Sequence, residues 1–139
     1  MRIFLSLIII ILVITGCKKE AGEGGNSRIT GSVRVIQRAV SSNPSTGVDT
    51  LAAADAEVYI IYGDNTSPDD RIRANFNGEF EFPNLRPGDY TVYVYSDDTT
   101  GTISPSSDAF HLMVIQQRVS ISDRKETVNT GVFTIYEDL

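Results

Sequence analysis

The sequence predicts an all-β fold, a seven- to eight-stranded antiparallel Greek-key β-sandwich. Three observations carry this prediction. From Arg28 onward, apolar residues recur with period two rather than 3.6, in short runs. The runs are separated by Asn, Asp, Gly, Pro and Ser, the residues of turns. No window has convincing helical spacing: Ala52-Ala53-Ala54 is too short, and its neighbours are turn formers.

Residues 29–40 (ITGSVRVIQRAV) are rich in β-branched side chains and open the fold. Residues 56–62 (AEVYIIY) make a second strand. Residues 71–76 and 79–82 flank Asn77-Gly78, and Asn-Gly between alternating runs is the strongest short hairpin signal, because both residues accept φ > 0. Residues 89–95 (DYTVYVY) alternate clearly, and residues 110–115, 118–122 and 127–136 complete the set. A change of apolar parity near Gln116-Gln117 predicts a bulge or turn there, and Gly131 a second bulge. Alternation also assigns the faces. The expected core is Val33, Val35, Val58, Ile60, Ile72, Phe76, Phe80, Phe82, Leu85, Tyr90, Val92 and Val94. Loops are expected at residues 41–55, 64–70 and 96–108. The first and last are long enough to suggest function.

The chain of 139 residues suits one domain, and its 41% apolar and 22% charged residues are ordinary for a globular protein. A net charge of −6 argues against a nucleic-acid partner, which would call for a basic face. The single Cys excludes an internal disulfide, and one His with no Trp excludes a His-rich metal site and a Trp-lined sugar platform.

The N-terminus has the organisation of an export signal. Arg2 is followed by an apolar run over residues 3–14, broken only by Ser6. As a helix this run spans roughly 18 Å at 1.5 Å per residue, against about 30 Å for a bilayer core. Those are the dimensions of a secretory hydrophobic region. Ile14-Thr15-Gly16-Cys17 follows, ending on the only Cys of the chain.

This tetrapeptide resembles the lipobox of bacterial lipoproteins. The resemblance implies cleavage between Gly16 and Cys17, with lipidation (diacylglyceryl or palmitate chains) on Cys17. It divides the chain into a signal peptide (1–16), a lipidated Cys and flexible tether (17–27) and a β-sandwich domain (28–139). Lys18 follows the lipidated position where an Asp would resemble an inner-membrane retention signal, so a cell-envelope location at the outer membrane is expected, with the facing side left open. The tether contains AGEGGNS over residues 21–27, a composition of flexible linkers.

A second resemblance lies in the body. Thr30-Gly31-Ser32-Val33, Ala56-Glu57-Val58 and then G-x-F-x-F-x-x-L-x-P-G-x-Y from Gly78 to Tyr90 resemble the carboxypeptidase regulatory-like domain. That domain is a transthyretin-like (prealbumin-like) sandwich whose pattern collagen-adhesin repeats share. The match spans about residues 29–96 and, with the lipobox, is of the type found in Bacteroidetes lipoproteins. Its residues have a structural reading of their own: Gly78 permits a turn, Phe80 and Phe82 fill one face, and Tyr90 can bond back to a turn as in tyrosine corners.

Catalytic chemistry finds little material. His111 sits in an expected strand, and no G-x-S-x-G elbow accompanies it. Asp64, Asp69 and Asp70, and separately Asp97, Asp98 and Asp108, lack the spacing of a calcium loop. The only Lys beyond the tether is Lys125, in an expected turn, so the isopeptide crosslink of some collagen-adhesin repeats is not expected. No catalytic residue, metal or cofactor is therefore expected.

Tyr59, Ile61, Tyr93 and Tyr95 share outward parity and form the candidate binding surface, since tyrosine serves both apolar and polar contacts. The expected protein is a lipid-anchored binding or scaffolding module that meets an envelope protein or glycan. Two rivals are a pilus-like structural subunit assembling by strand addition and an accessory domain acting with an envelope peptidase or transporter.

Overall fold

The computed structural model describes residues 20–38, 49–97 and 112–138. Cys17, His111, Asp98 and Asp108 lie outside the described residues. Those described form an all-β sandwich of eight strands: β1 (Glu23–Arg38), β2 (Asp49–Ala52), β3 (Glu57–Tyr62), β4 (Asp70–Arg73), β5 (Glu79–Leu85), β6 (Gly88–Asp97), β7 (Leu112–Ile121) and β8 (Thr127–Asp138).

One sheet is built on β1. Its first half pairs with β5 (Ile29 opposite Phe82) and its second half with β2 (Val35 opposite Leu51), so β5 and β2 lie end to end along one side. β8 lines the other side. The second sheet runs β4-β3-β6-β7. The expectation of antiparallel sheets holds at every pairing except β1–β8, which is parallel.

Between the sheets lie Val33, Val35, Val58, Ile60, Phe80, Phe82, Leu85, Tyr90, Val92 and Val94, all buried as alternation requires. Ile29, Ala53, Ile121 and Phe133 join them. Ile72 is only half-buried and packs against this cluster from the short edge strand β4.

Phe76 corrects the expected core: it is 90% exposed. The parity argument assumed a strand through residue 76, but β4 ends at Arg73. Residues 75–78 form a turn closed by the Gly78 N–H donating to the Asn75 carbonyl at 2.8 Å, with Phe76 at its tip. The Asn75 side-chain oxygen accepts from the N–H groups of Asn77 (2.9 Å) and Glu79 (3.0 Å). This turn also overturns the expected hairpin. β4 pairs with β3 and β5 with β1, so Asn77-Gly78 carries the chain from one sheet to the other. Gly78 has φ 75°, and a Cβ there would lie 2.3 Å from the Val33 carbonyl oxygen. Only glycine fits both demands.

Three further expectations are corrected. β7 is one strand, with unbroken register to β6 from Leu112 to Ile121, so Gln116-Gln117 marks no interruption. The parity change reflects an edge strand with solvent on much of both faces, not a bend. The long loop at 41–55 contains β2. The stretch read as tether is strand from Glu23: Leu85 pairs with both Glu23 and Ser27 across a bulge, and a Cβ on Gly25 would lie 1.9 Å from the Leu85 carbonyl oxygen. Gly25 admits close backbone approach there. The Gly131 bulge is present, as a register shift between the pairs Thr30–Asn129 and Ser32–Val132.

The motif from Gly78 to Tyr90 ends in a tyrosine corner. The buried Tyr90 hydroxyl donates to the Arg86 carbonyl at 2.6 Å and accepts from the Gly22 N–H at 2.9 Å. Ser27, also buried, ties β1 to the β7–β8 turn: its hydroxyl donates to the Asp123 carbonyl (2.9 Å) and accepts from the Glu126 N–H (3.0 Å).

Candidate binding surface

The β4-β3-β6-β7 sheet has a regular register, and that regularity places its outward side chains in rows. Tyr59 on β3 stands opposite Tyr93 on β6, which stands opposite Gln116 on β7. Arg71 on β4 completes the row beyond Tyr59. The adjacent rows bring Tyr95 against Val114, and Ile61 against Thr91.

Three of the four expected surface residues meet in one cluster. Tyr59 and Tyr93 stack with centroids 5.0 Å apart and planes inclined by 12°. Tyr95 stands edge-on to both, at 5.5 Å from Tyr59 and 5.6 Å from Tyr93. Offset and edge-on arrangements suit the ring quadrupole, and such pairs are each worth about 0.5–1.5 kcal/mol. Tyr93 is buried by its neighbours although it lies on the outward face, while Tyr95 remains 42% exposed. Ile61 shares the face and is half-buried.

Polar groups at the rim fix the cluster. The Tyr59 hydroxyl donates to Glu57 at 2.6 Å. Arg71 donates to the other Glu57 oxygen at 3.1 Å, and Arg73 lies 3.7 Å from it. The Tyr59 hydroxyl, and then the Arg71 and Arg73 guanidiniums, hold the Glu57 carboxyl below its ordinary range. The same hydrogen bond, with burial, pushes the Tyr59 hydroxyl up. Burial, with the neighbouring Tyr95 hydroxyl, pushes Tyr93 up to about 12. Both shifts favour the neutral hydroxyl at Tyr59 and at Tyr93. Tyr59 and Tyr95 present ring surface, with Tyr93 buried among them, beside a carboxylate, two guanidiniums and the Gln116 amide.

Glu57, Arg71, Arg73 and Gln116 were not expected from the sequence as part of this surface. A signal for Glu57 was present, since it shares the parity of Tyr59 and Ile61. The arginines could be placed beside Tyr59 only once β4 was known to pair with β3.

The expected acidic loop residues serve their own turns. Asp69 accepts from the Tyr62 N–H (2.7 Å) and the Asn65 amide (2.8 Å), Asp70 accepts from the Arg71 N–H (2.7 Å), and Asp64 pairs with Arg118 at 3.2 Å. Among the described residues no three His, Cys, Asp or Glu side chains converge as metal ligands. Lys125 lies in the turn between β7 and β8 with φ 66°. A shallow hollow of about 830 Å³ is lined by Ser32, Arg73, Asn75, Glu79 and Asn129 among others. It exposes no paired aromatic faces.

Comparison with known proteins adds the following. Residues 71–129 match the family model described as polysaccharide lyase family 4, domain II. No curated protein matches the chain. Five chains of known structure do. One is a Pseudomonas aeruginosa protein described as a candidate carbohydrate-binding protein, at 11% identity and a TM-score of 0.49, covering 84% of this chain and 92% of that one. Another is an (S)-allantoin synthase, at 12% identity and a TM-score of 0.43, covering 83% of this chain and 43% of the enzyme.

Proposed function

We propose that this protein is a non-catalytic, glycan-binding module of the cell envelope, anchored at the outer membrane by lipid on Cys17. The observation that carries the binding half is the tyrosine cluster. Tyr59, Tyr93 and Tyr95 pack within 5.0–5.6 Å on one open sheet face, with Glu57 and Arg71 hydrogen-bonded at its edge. Sugars present apolar C–H faces and a rim of hydroxyls. A rigid ring surface bordered by both acceptors and donors complements that pattern, since tyrosine offers an apolar body with a polar tip at low entropic cost. The match of residues 71–129 to a domain of a polysaccharide lyase family supports a glycan over a protein partner. The anchor rests on the lipobox at residues 14–17, and two acyl chains suffice for stable attachment.

Two measurements test the halves separately. Full-length protein carrying Tyr95→Ala should bind extracted envelope polysaccharide about tenfold or more weakly than the unaltered chain, because an aromatic anchor typically contributes upwards of about 1.4 kcal/mol. Equal binding by the two would remove the cluster from the site. Cys17→Ser should abolish fatty-acid labelling and release the protein from membranes. Labelling that persists would refute the anchor.

A further inference from the structure

Strands at the ends of sheets expose unpaired N–H and C=O groups, and proteins blunt such edges with short strands, charges, proline or bulges. Among the described residues, most edges of this sandwich are blunted in one of these ways. β4 and β2 are four residues each, and β4 (DRIR) is charged at three of them. β5 carries Pro83 together with exposed Glu79 and Glu81. β8 is bulged at Gly131, and its Tyr136 N–H is taken by the Ser96 hydroxyl at 2.8 Å.

β7 has the fewest of these devices, a single charge near its C-terminal end. It runs ten residues without proline, bulge or register shift. It carries no charge from Leu112 to Gln117, and Arg118 is its only ionised side chain. Leu112, Met113 and Val114 are 47%, 37% and 48% exposed, so apolar surface is open on both of its faces. A straight edge whose first half is uncharged and apolar, with one charge beyond it, is a template for another strand.

We infer that β7 is the interface between two copies of this chain, paired antiparallel with its own symmetry mate about Gln116. All eight described strands already have partners within the chain, so strand donation has no described donor, whereas edge-to-edge pairing uses what is present. Centring the two-fold on Gln116 engages nearly the whole strand. Leu112 then faces Ser120 of the second copy, Met113 faces Val119, Val114 faces Arg118, and Ile115 faces Gln117. Paired residues keep to the same face of the joined sheet, as pleating requires.

No like charges stand opposite one another in this register. The residue on the axis is an amide that both donates and accepts, so it complements its own copy. The net charge of −6 per chain repels two copies at longer range, and added salt screens that repulsion and strengthens the pair. The union makes one eight-stranded sheet. Its two tyrosine clusters share a face, with Tyr93 and its mate about 14 Å apart across three strand spacings of roughly 4.8 Å. The dimer does not depend on the glycan reading.

The test uses the full-length chain in detergent. Sedimentation should show a dimer for the unaltered protein. Gln116→Cys should oxidise to a covalent dimer, whereas Thr134→Cys on β8 should not. Gln116→Lys and Gln116→Glu, each alone, place like charges on the axis and should weaken association roughly fivefold. Mixing the two should restore it, which a folding defect could not do. A monomeric unaltered chain, dimers of undiminished strength in both charge variants, or failure of the mixture to recover would each overturn the inference.

Discussion

The two sheets of this sandwich do opposite things with irregularity. The sheet built on β1 is full of it. Its central strand changes partner midway, bulges against β5 and against β8, and includes the one parallel pairing. Those irregularities bring in the N-terminal stretch and lock it, through the Tyr90 hydroxyl on Gly22 and the Ser27 hydroxyl at the β7–β8 turn. The β4-β3-β6-β7 sheet has no register shift at any pairing. Only a regular sheet keeps outward residues in straight rows, and among the described residues only here do three rings converge on an outer face. One sheet closes the fold, and the other displays a surface.

That division predicts unequal tolerance. Phe82 is buried on β5, opposite Ile29 of β1 and edge-on to Phe80. Phe82→Ala should cost about 3–5 kcal/mol in denaturant unfolding, the range for a large aromatic deleted from a packed core. Tyr95→Ala on the display face should cost less, about 1–2 kcal/mol, since it loses two edge-on ring contacts but the ring is already 42% exposed. Comparable losses at the two sites would show that the outer face is part of the stabilising core and dissolve the comparison.

A finer cut removes one oxygen. Tyr90→Phe keeps the ring and deletes the hydroxyl that serves Arg86 and Gly22. The Gly22 N–H is then left unsatisfied in a buried position, a cost of about 1–3 kcal/mol. Amide hydrogen exchange should rise first around Gly22, before exchange rises along β3 and β6. Uniform acceleration across both sheets would mean that the corner holds the whole sandwich and not the N-terminal stretch in particular.

How much of this could be read beforehand follows the same division. Tyr59, Tyr93 and Tyr95 were placed together by parity alone, because β3 and β6 are regular and period two is a reliable guide there. Most of the core was legible for that reason. Phe76 was misplaced because parity carries no information about where a strand stops, and Asn75 ends β4 by drawing N–H groups of the following turn onto its side chain. Asn77-Gly78 was legible as a turn but not as a crossing, since local φ preference says nothing about which sheet each arm joins. The glycines at 22–25 resembled a linker by composition. The role of Gly25, close approach to Leu85 of β5, depends on a partner sixty residues away. The partners of the tyrosine cluster were hidden for a similar reason: Arg71 and Arg73 reach Glu57 only through the β3–β4 pairing.

The last expected effect is alkaline. Burial first, then the acids at Glu23, Asp70 and Asp69, push Tyr62 up to about 12, and burial with Tyr95 does the same for Tyr93. Both hydroxyls start from 10.0 in the unfolded chain. A folded value above the unfolded one means that the fold favours the protonated form. Each group's stabilising contribution is complete below pH 10 and is lost as pH rises from 10 towards 12. Stability should be level approaching pH 10 and fall beyond it, with absorbance at the phenolate band developing late for these two rings. Tyr62 packs edge-on against the corner tyrosine Tyr90, whereas Tyr93 lies in the display cluster. Tyr62→Phe and Tyr93→Phe should therefore each remove part of the alkaline fall, and only the second should alter glycan binding. A fall that survives both substitutions would place the alkaline sensitivity elsewhere and separate it from the two tyrosine environments altogether.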